Sequence, residues 1–298
     1  MTKKPRHTSS VAPAGSRVRR RRLRLHDGRV IALPAVMGVL NVTPDSFSDG
    51  GCFLEPERAL AQALTLEAEG AAIIDVGGES TRPVGAHAVP VEVELARVVP
   101  VLELLRRKLR IPVSIDTRKA EVARAALAHG AVMINDVSAL SADAAMAPLA
   151  AQAGCAVVLM HMRGSPENHM RYARYRDVLE EVVRFLRARA RVARAAGINP
   201  RRIIVDPGLG FAKIARHNLA LLGGLSRLCG LGYPVLIGAS RKRFVRTIAG
   251  DGAAETRAGN AAVNALAIAG GAALIRVHEA GAAAAVVRLV EAVRRAHD

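Results

Sequence analysis

The chain has 298 residues, 51% apolar and 23% charged, enough to bury a sizeable core in one α/β barrel or two smaller domains, and too apolar for a disordered chain. Its three cysteines, Cys52, Cys155 and Cys229, are far apart and odd in number, which argues against a disulfide framework or a metal knuckle and fits a reducing cytoplasm. No secretory h-region follows the basic start, and no uninterrupted run of about 18 apolar residues occurs, so neither a signal peptide nor a membrane span is expected.

In chain order, residues 1–24 are expected to form a basic, disordered tail. Nine cationic residues precede the first acid, Asp27, which leaves +8 of the net +17 for everything after it. Thr8, Ser9, Ser10, Pro13 and Gly15 oppose packing, and no aromatic side chain interleaves with the charges as a base-stacking surface requires. A solvated leader is therefore expected rather than a nucleic-acid arm.

Residues 25–298 read as one domain. Short apolar runs alternate with longer segments of helical period. The runs are "AVMGVLNV", "AAIIDVGG", "IPVSIDT", "AVMINDVS", "CAVVLMHM", "RIIVDPG", "YPVLIGAS" and "AALIRVH". Between them, stretches such as 56–70 and 91–109 place apolar residues at i, i+3 and i+4 with charges opposite. Strands without polar alternation are those buried on both faces, the mark of a parallel sheet covered by helices. Eight such pairs match a (β/α)8 TIM barrel. An open doubly wound sheet is the alternative, weakened by the lack of a GxGxxG loop.

Each run ends in polar residues: Asn41, Asp75 with Glu79, Asp116, Asn135, His161, Asp206, Ser240 with Lys242, and Arg276 with His278. In a barrel these converge on the rim where active sites are built. One such residue is more often a loop-satisfying group than a ligand; eight together are the evidence. Asp116, Asn135 and Asp206 suit the donor-acceptor edge of a nitrogen-rich heterocycle. Arg82, Lys242, Arg276 and His278, as a separate cationic group, suit phosphate or carboxylate. No Ser-His-Asp spacing, HExxH or Walker motif occurs, so hydrolase and P-loop readings lack support. His161, flanked by Met160 and Met162, reads as a structural hydrogen-bonding residue rather than a catalyst.

The segments "MGVLNVTPDSFSDGG", "IIDVGGESTRP", "SIDTRK", "INDVSA", "LMHMRGSP", "DPGLGFAK", "GASRKRF" and "RVH" closely resemble, in order and spacing, the signatures of the dihydropteroate synthase family. The resemblance runs from about Val36 to Leu289. It implies a (β/α)8 barrel that condenses 6-hydroxymethyl-7,8-dihydropterin diphosphate with 4-aminobenzoate, with Mg2+. It further implies that Asn41 helps hold the metal at the diphosphate, and that Thr81 and Arg82 lie near the reacting groups. Asp116, Asn135 and Asp206 would bind the pterin ring, and Lys242 would reach both pterin and aminobenzoate. Arg276 and His278 would grip the diphosphate. Phe47, Pro83 and Phe211 would clamp the benzoate ring, with Ser240 facing it. A homodimer in the cytoplasm is expected with the family. Asp116, Asp206, Lys242, Arg276 and His278 are the catalytic candidates.

The sequence departs from the family pattern at Val84, which intervenes before "GA" after "STRP", and at Glu279, where Asp is usual. The first bears on aminobenzoate use more than on pterin binding. A pterin-dependent methyltransferase of related barrel type should lack "DSFSDGG" and "SRK". A non-catalytic paralogue would keep the pterin pocket, use the altered "STRPVG" loop and the basic tail to bind a partner, and release no diphosphate.

Overall fold

The structure is a computed structural model and describes residues 22–43, 55–80 and 89–296. The chain folds as a (β/α)8 barrel. Its strands are β3 (Ala35–Asn41), β4 (Ile73–Gly77), β5 (Val113–Asp116), β6 (Met133–Asp136), β7 (Ala156–Met160), β8 (Ile203–Asp206), β9 (Leu236–Ile237) and β10 (Leu274–Val277). They form one parallel sheet in the order β8-β7-β6-β5-β4-β3-β10-β9. A parallel bridge between Val205 and Val235 brings β8 back to the approach to β9 and closes the ring.

The uninterrupted apolar runs have the structural cause expected of them, because each strand is buried twice. Ile74, Val76, Ile115, Ile134, Val157, Leu159, Ile203, Val205, Ile237 and Ile275 pack outward beneath the helices. The alternate residues Met37, Ile73, Met133, Ala156, Val158, Ile204, Leu236 and Leu274 fill the barrel interior. Period-2 alternation of side-chain direction thus divides one apolar sequence into two cores.

The covering helices run where the 3.6-residue periodicity places them. Segment 56–70 overlaps α1 (Glu55–Ala68), and 91–109 contains α2 (Val91–Lys108), which buries Val98, Val101, Leu102 and Leu105 on one face. Acids open α2 and Arg106, Arg107 and Lys108 close it, matching the sign of the helix dipole at each end. Between α2 and the later helices lie α3 (Ala120–Ala128) and α4 (Met146–Ala153). In α5 (Val178–Ala195), Asp177 caps the first turn by accepting from Leu179 N at 3.0 Å and Glu180 N at 3.1 Å. The series ends with α6 (Ala215–Gly223), α7 (Leu225–Cys229), α8 (Arg243–Ala249), α9 (Ala253–Ala269) and α10 (Ala280–Ala296).

The boundary expected at residue 25 is corrected by an N-terminal hairpin. Strands β1 (Arg22–Arg24) and β2 (Val30–Ala32) pair antiparallel, so the end of the sequence assigned to the tail belongs to the folded domain. Leu23, Leu25, Ile31 and Leu33 join the interior core at the N-terminal ends of the barrel strands. Each such burial contributes about 1.5–3 kcal/mol, which is why a segment so rich in arginine is ordered here. The hairpin closes the bottom of the barrel and leaves the opposite end for the polar residues. Residues 1–21 lie outside the described residues. Among the described residues no helix is long and apolar enough to cross a membrane.

Candidate active site

The polar residues at the strand ends collect in the upper part of the barrel interior. Asn41, Asp116 and Asp206 are the last residues of β3, β5 and β8. Asp75, Asn135 and Arg276 stand within β4, β6 and β10, and His278 follows β10 directly. The register pairs Gly77 with Asp116, and Asp116 with Asn135, so adjacent polar residues stand at one level.

Arg276 is the centre of this arrangement. Its Nε donates to Asp75 Oδ2 at 2.6 Å and its Nη2 to Asp116 Oδ2 at 2.7 Å. Asn135 Nδ2 donates to the same Asp75 oxygen at 2.8 Å. On the other side of the barrel, burial pushes the Lys242 amine down to about 8, against the attraction of Asp206, with Arg276 adding repulsion. Burial also raises the Asp206 carboxyl, against Lys242 and the Gly208 N–H that donates to it at 2.7 Å. The separate acid and cation groups expected from sequence are therefore corrected: the structure interleaves them. Carboxylates taken out of water need a counter-charge within reach, and only residues on facing strands supply it.

Burial raises the Asp116 carboxyl to about 7, with Arg276 opposing the shift and Asp75 adding to it. A carboxyl that loses its proton near neutrality can donate or accept a hydrogen bond at little cost, which suits an edge of alternating ring nitrogens.

The segment 207–213 carries the next part of the site. Lys242 Nζ donates to the Leu209 carbonyl oxygen and stands 4.6 Å from the Phe211 ring centroid. Gly210 makes room for the lysine stem, since a Cβ there would lie 2.8 Å from Lys242 Cδ. Gly208 has a φ of 66°, and its missing side chain is replaced by the His161 carbonyl oxygen. Gly208→Ala is expected to destabilise the fold by at least about 2 kcal/mol, through left-handed strain plus overlap with that carbonyl, read as a lower urea midpoint.

Two residues hold this segment from below. Lys213, buried, donates to the Phe211 carbonyl at 2.8 Å and faces His161 Nδ1 at 3.0 Å. Burial lowers the His161 imidazole to about 2, with the Lys213 and Arg163 charges pushing the same way, so its ring is neutral and accepts. Its ring edge meets Phe185 at 4.8 Å, a structural setting. His169 Nδ1 accepts from Ala212 N at 2.7 Å.

Ser240 stands beside His278 at the end of the barrel. Its Oγ lies 3.1 Å from His278 Nδ1 and accepts from His278 N at 3.3 Å. At the next strand ends, Glu79 is bound by Arg118 at 2.8 Å and by Lys119, and Lys119 continues to Glu94 at 2.5 Å. Phe47, Thr81, Arg82, Pro83 and Val84 lie outside the described residues. No cluster of three or more metal-ligating side chains occurs among the described residues.

Sequence reasoning gave no role to Asp75 or Lys213. Asp75 carried a signal: a single charge inside the apolar run "AAIIDVGG" must have a buried partner. Lys213 carried none, because a lysine after a glycine-rich turn is ordinarily solvated.

Residues 37–278 match the family model described as "Pterin binding enzyme". A dihydropteroate synthase from Mycobacterium leprae is 52% identical over 264 residues, covering 86% of this chain and 92% of that protein. The solved dihydropteroate synthase of Xanthomonas albilineans with 4-aminobenzoic acid superposes with a TM-score of 0.85 at 48% identity, covering 92% of this chain and 99% of that one. The same enzyme in complex with 7,8-dihydropteroate gives a TM-score of 0.83 at 44% identity, with the same coverage. With this fold, this set of interleaved acids and cations and these matches, the chain belongs to the dihydropteroate synthases of the pterin-binding enzyme family.

Proposed function

We propose that the barrel condenses 6-hydroxymethyl-7,8-dihydropterin diphosphate with 4-aminobenzoate to give 7,8-dihydropteroate and diphosphate, as a cytoplasmic transferase of folate biosynthesis. The observation that carries this reading is the set of buried acids, amide and cations, Asp116, Asn135, Asp206, Lys242 and Arg276, gathered at the C-terminal end of the barrel. Such a set is a donor-acceptor lining for a flat heterocycle. Asp116, Asn135 and Asp206 take the pterin edge, Lys242 stands between pterin and aminobenzoate over Phe211, and Arg276 and His278 lie toward the diphosphate.

In the reaction, the bond between the pterin methylene carbon and the diphosphate oxygen breaks, and its electron pair leaves with the diphosphate. The neutral aniline nitrogen then bonds to the methylene carbon, and the resulting ammonium releases its proton to the departing diphosphate. The dihydropterin ring delocalises the cation that develops at the methylene, and buried carboxylates beside the ring stabilise it. No covalent intermediate with the chain is needed.

Asn41 is the one protein oxygen donor proposed for Mg2+. Asn41 would supply an amide oxygen, the hard donor that Mg2+ takes. When bound, the ion would neutralise charge on the leaving diphosphate. Thr81, Arg82, Phe47 and Pro83 keep the roles near the reacting groups and the benzoate ring that the family implies. Homodimerisation is supported by exposed apolar side chains on adjacent helices, with Leu266 of α9 64% and Leu289 of α10 67% exposed.

The test is diphosphate release with both substrates and Mg2+. Release that depends on aminobenzoate is expected. Calorimetric binding of the pterin substrate without release, at saturating aminobenzoate and Mg2+, would leave a pterin-binding protein and refute the enzyme.

A further inference from the structure

Asp75 lies behind the proposed substrate lining and is wholly enclosed, with no exposed surface. Its Oδ2 receives donors from two other strands, Asn135 Nδ2 of β6 and Arg276 Nε of β10. Its Oδ1 is buried with no hydrogen-bond partner, as is Ser114 Oγ at the paired register position on β5. A charge kept in so costly a place, with half its acceptor capacity unused, is held there for what it does to its two donors.

We propose that Asp75 is a positioning residue for the pterin substrate: it fixes which edge the Asn135 amide presents and which way the Arg276 guanidinium lies. This rests on the reading of the site given above. Asp75 Oδ2 accepts from both groups, so the Asn135 amide turns an N–H toward it, which aims its carbonyl oxygen away, as an acceptor for a ring N–H or amino group. By the same rule Arg276 Nε points at Asp75 while Nη2 points at Asp116, and the plane of the fork is set by the two together.

Asp75 also shares out charge. Asp116 is faced by Arg276 from β10, Asp75 from β4, Glu94 from α2 and Asp136 from β6. Burial is the first cause of its raised carboxyl, Arg276 opposes it, and Asp75 adds repulsion. Neutralising Asp75 releases Arg276 to Asp116 and removes that repulsion, so the Asp116 carboxyl should lose its proton at lower pH.

The test compares the wild-type protein with Asp75→Asn and Asp75→Ser in steady-state kinetics from pH 5 to 9, with circular dichroism as the check on folding. Asn is isosteric but can donate, so the Asn135 amide loses its reason to face one way. Expected are a rise of at least about tenfold in KM for the pterin diphosphate, equivalent to about 1.4 kcal/mol, and a change in KM for aminobenzoate of about twofold or less. The limb of the pH profile near 7 should also move to lower pH. Folded variants with the pterin KM and the limb of the wild type would overturn the positioning role alone. Loss of the fold in both variants would overturn it too, since Asp75 would then be a structural residue. A wild-type protein that releases no diphosphate would instead refute the reading on which the proposal rests.

Discussion

Lys242→Ala is expected to lower kcat/KM by at least about tenfold, which is 1.4 kcal/mol or more of barrier, while leaving the fold intact. The lysine is buried beside Asp206, donates to the Leu209 carbonyl and stands over the Phe211 ring. Alanine removes a cation placed between the proposed pterin and aminobenzoate positions, and it leaves the buried Asp206 carboxyl with less compensation. Burial brings the Lys242 amine down to about 8, so the wild type should show an alkaline limb there, as the ammonium loses its proton. Steady-state kinetics across pH 6 to 10 checks both effects. Full activity, or an unchanged limb in the variant, would remove Lys242 from the site.

Arg276→Met should have the largest effect on stability, a loss of about 3–5 kcal/mol, because it strips the counter-charge from two buried carboxyls at once. Asp75 is wholly buried and Asp116 nearly so, and Arg276 binds one oxygen of each. The sign of the pH dependence follows from Asp116. Its folded carboxyl already titrates near 7, above the value of about 3.9 for an unfolded aspartate, so stability falls as pH rises through that interval in the wild type. Without Arg276 the carboxyl titrates higher still. The gap between variant and wild type therefore widens above pH 7, where the wild-type group has finished losing its proton and the variant's has not. Urea denaturation at pH 6 and pH 9 measures this. Equal stability at both values would mean the ion pairs contribute nothing to the fold.

The barrel was legible because its signals are local. Runs such as "IIDVG" and "CAVVLM" are apolar at every position, which only strands buried on both faces require, and the stretches between them keep helical period. The polar strand ends were legible for the same reason, since each interrupts an apolar run at one place. The hairpin was not. Leu23 and Leu25 alternate with Arg22, Arg24 and His26, so charge dominates that stretch, and the apolar face has a partner only where it plugs the barrel beside Ile31 and Leu33. A one-faced pattern of three residues is too short to outweigh its charge without knowing what lies beneath it.

The pairing of the site residues was also illegible. Arg276 and Asp75 are 201 positions apart, and Arg276 and Asp116 are 160 apart. No spacing rule links them. Lys213 would have been read as a surface lysine from any window of sequence, yet it is buried and holds the turn beneath Phe211.

By itself, then, the amino-acid sequence determined the elements, their order, the barrel they make and the rim on which the polar residues stand, since each follows from periodicity within a single strand or helix. The tertiary structure decided which acid faces which cation, how far burial moves each proton, and that Asn135 and Arg276 both turn toward Asp75. Those are properties of distance and desolvation between strands that closure of the barrel alone brings together.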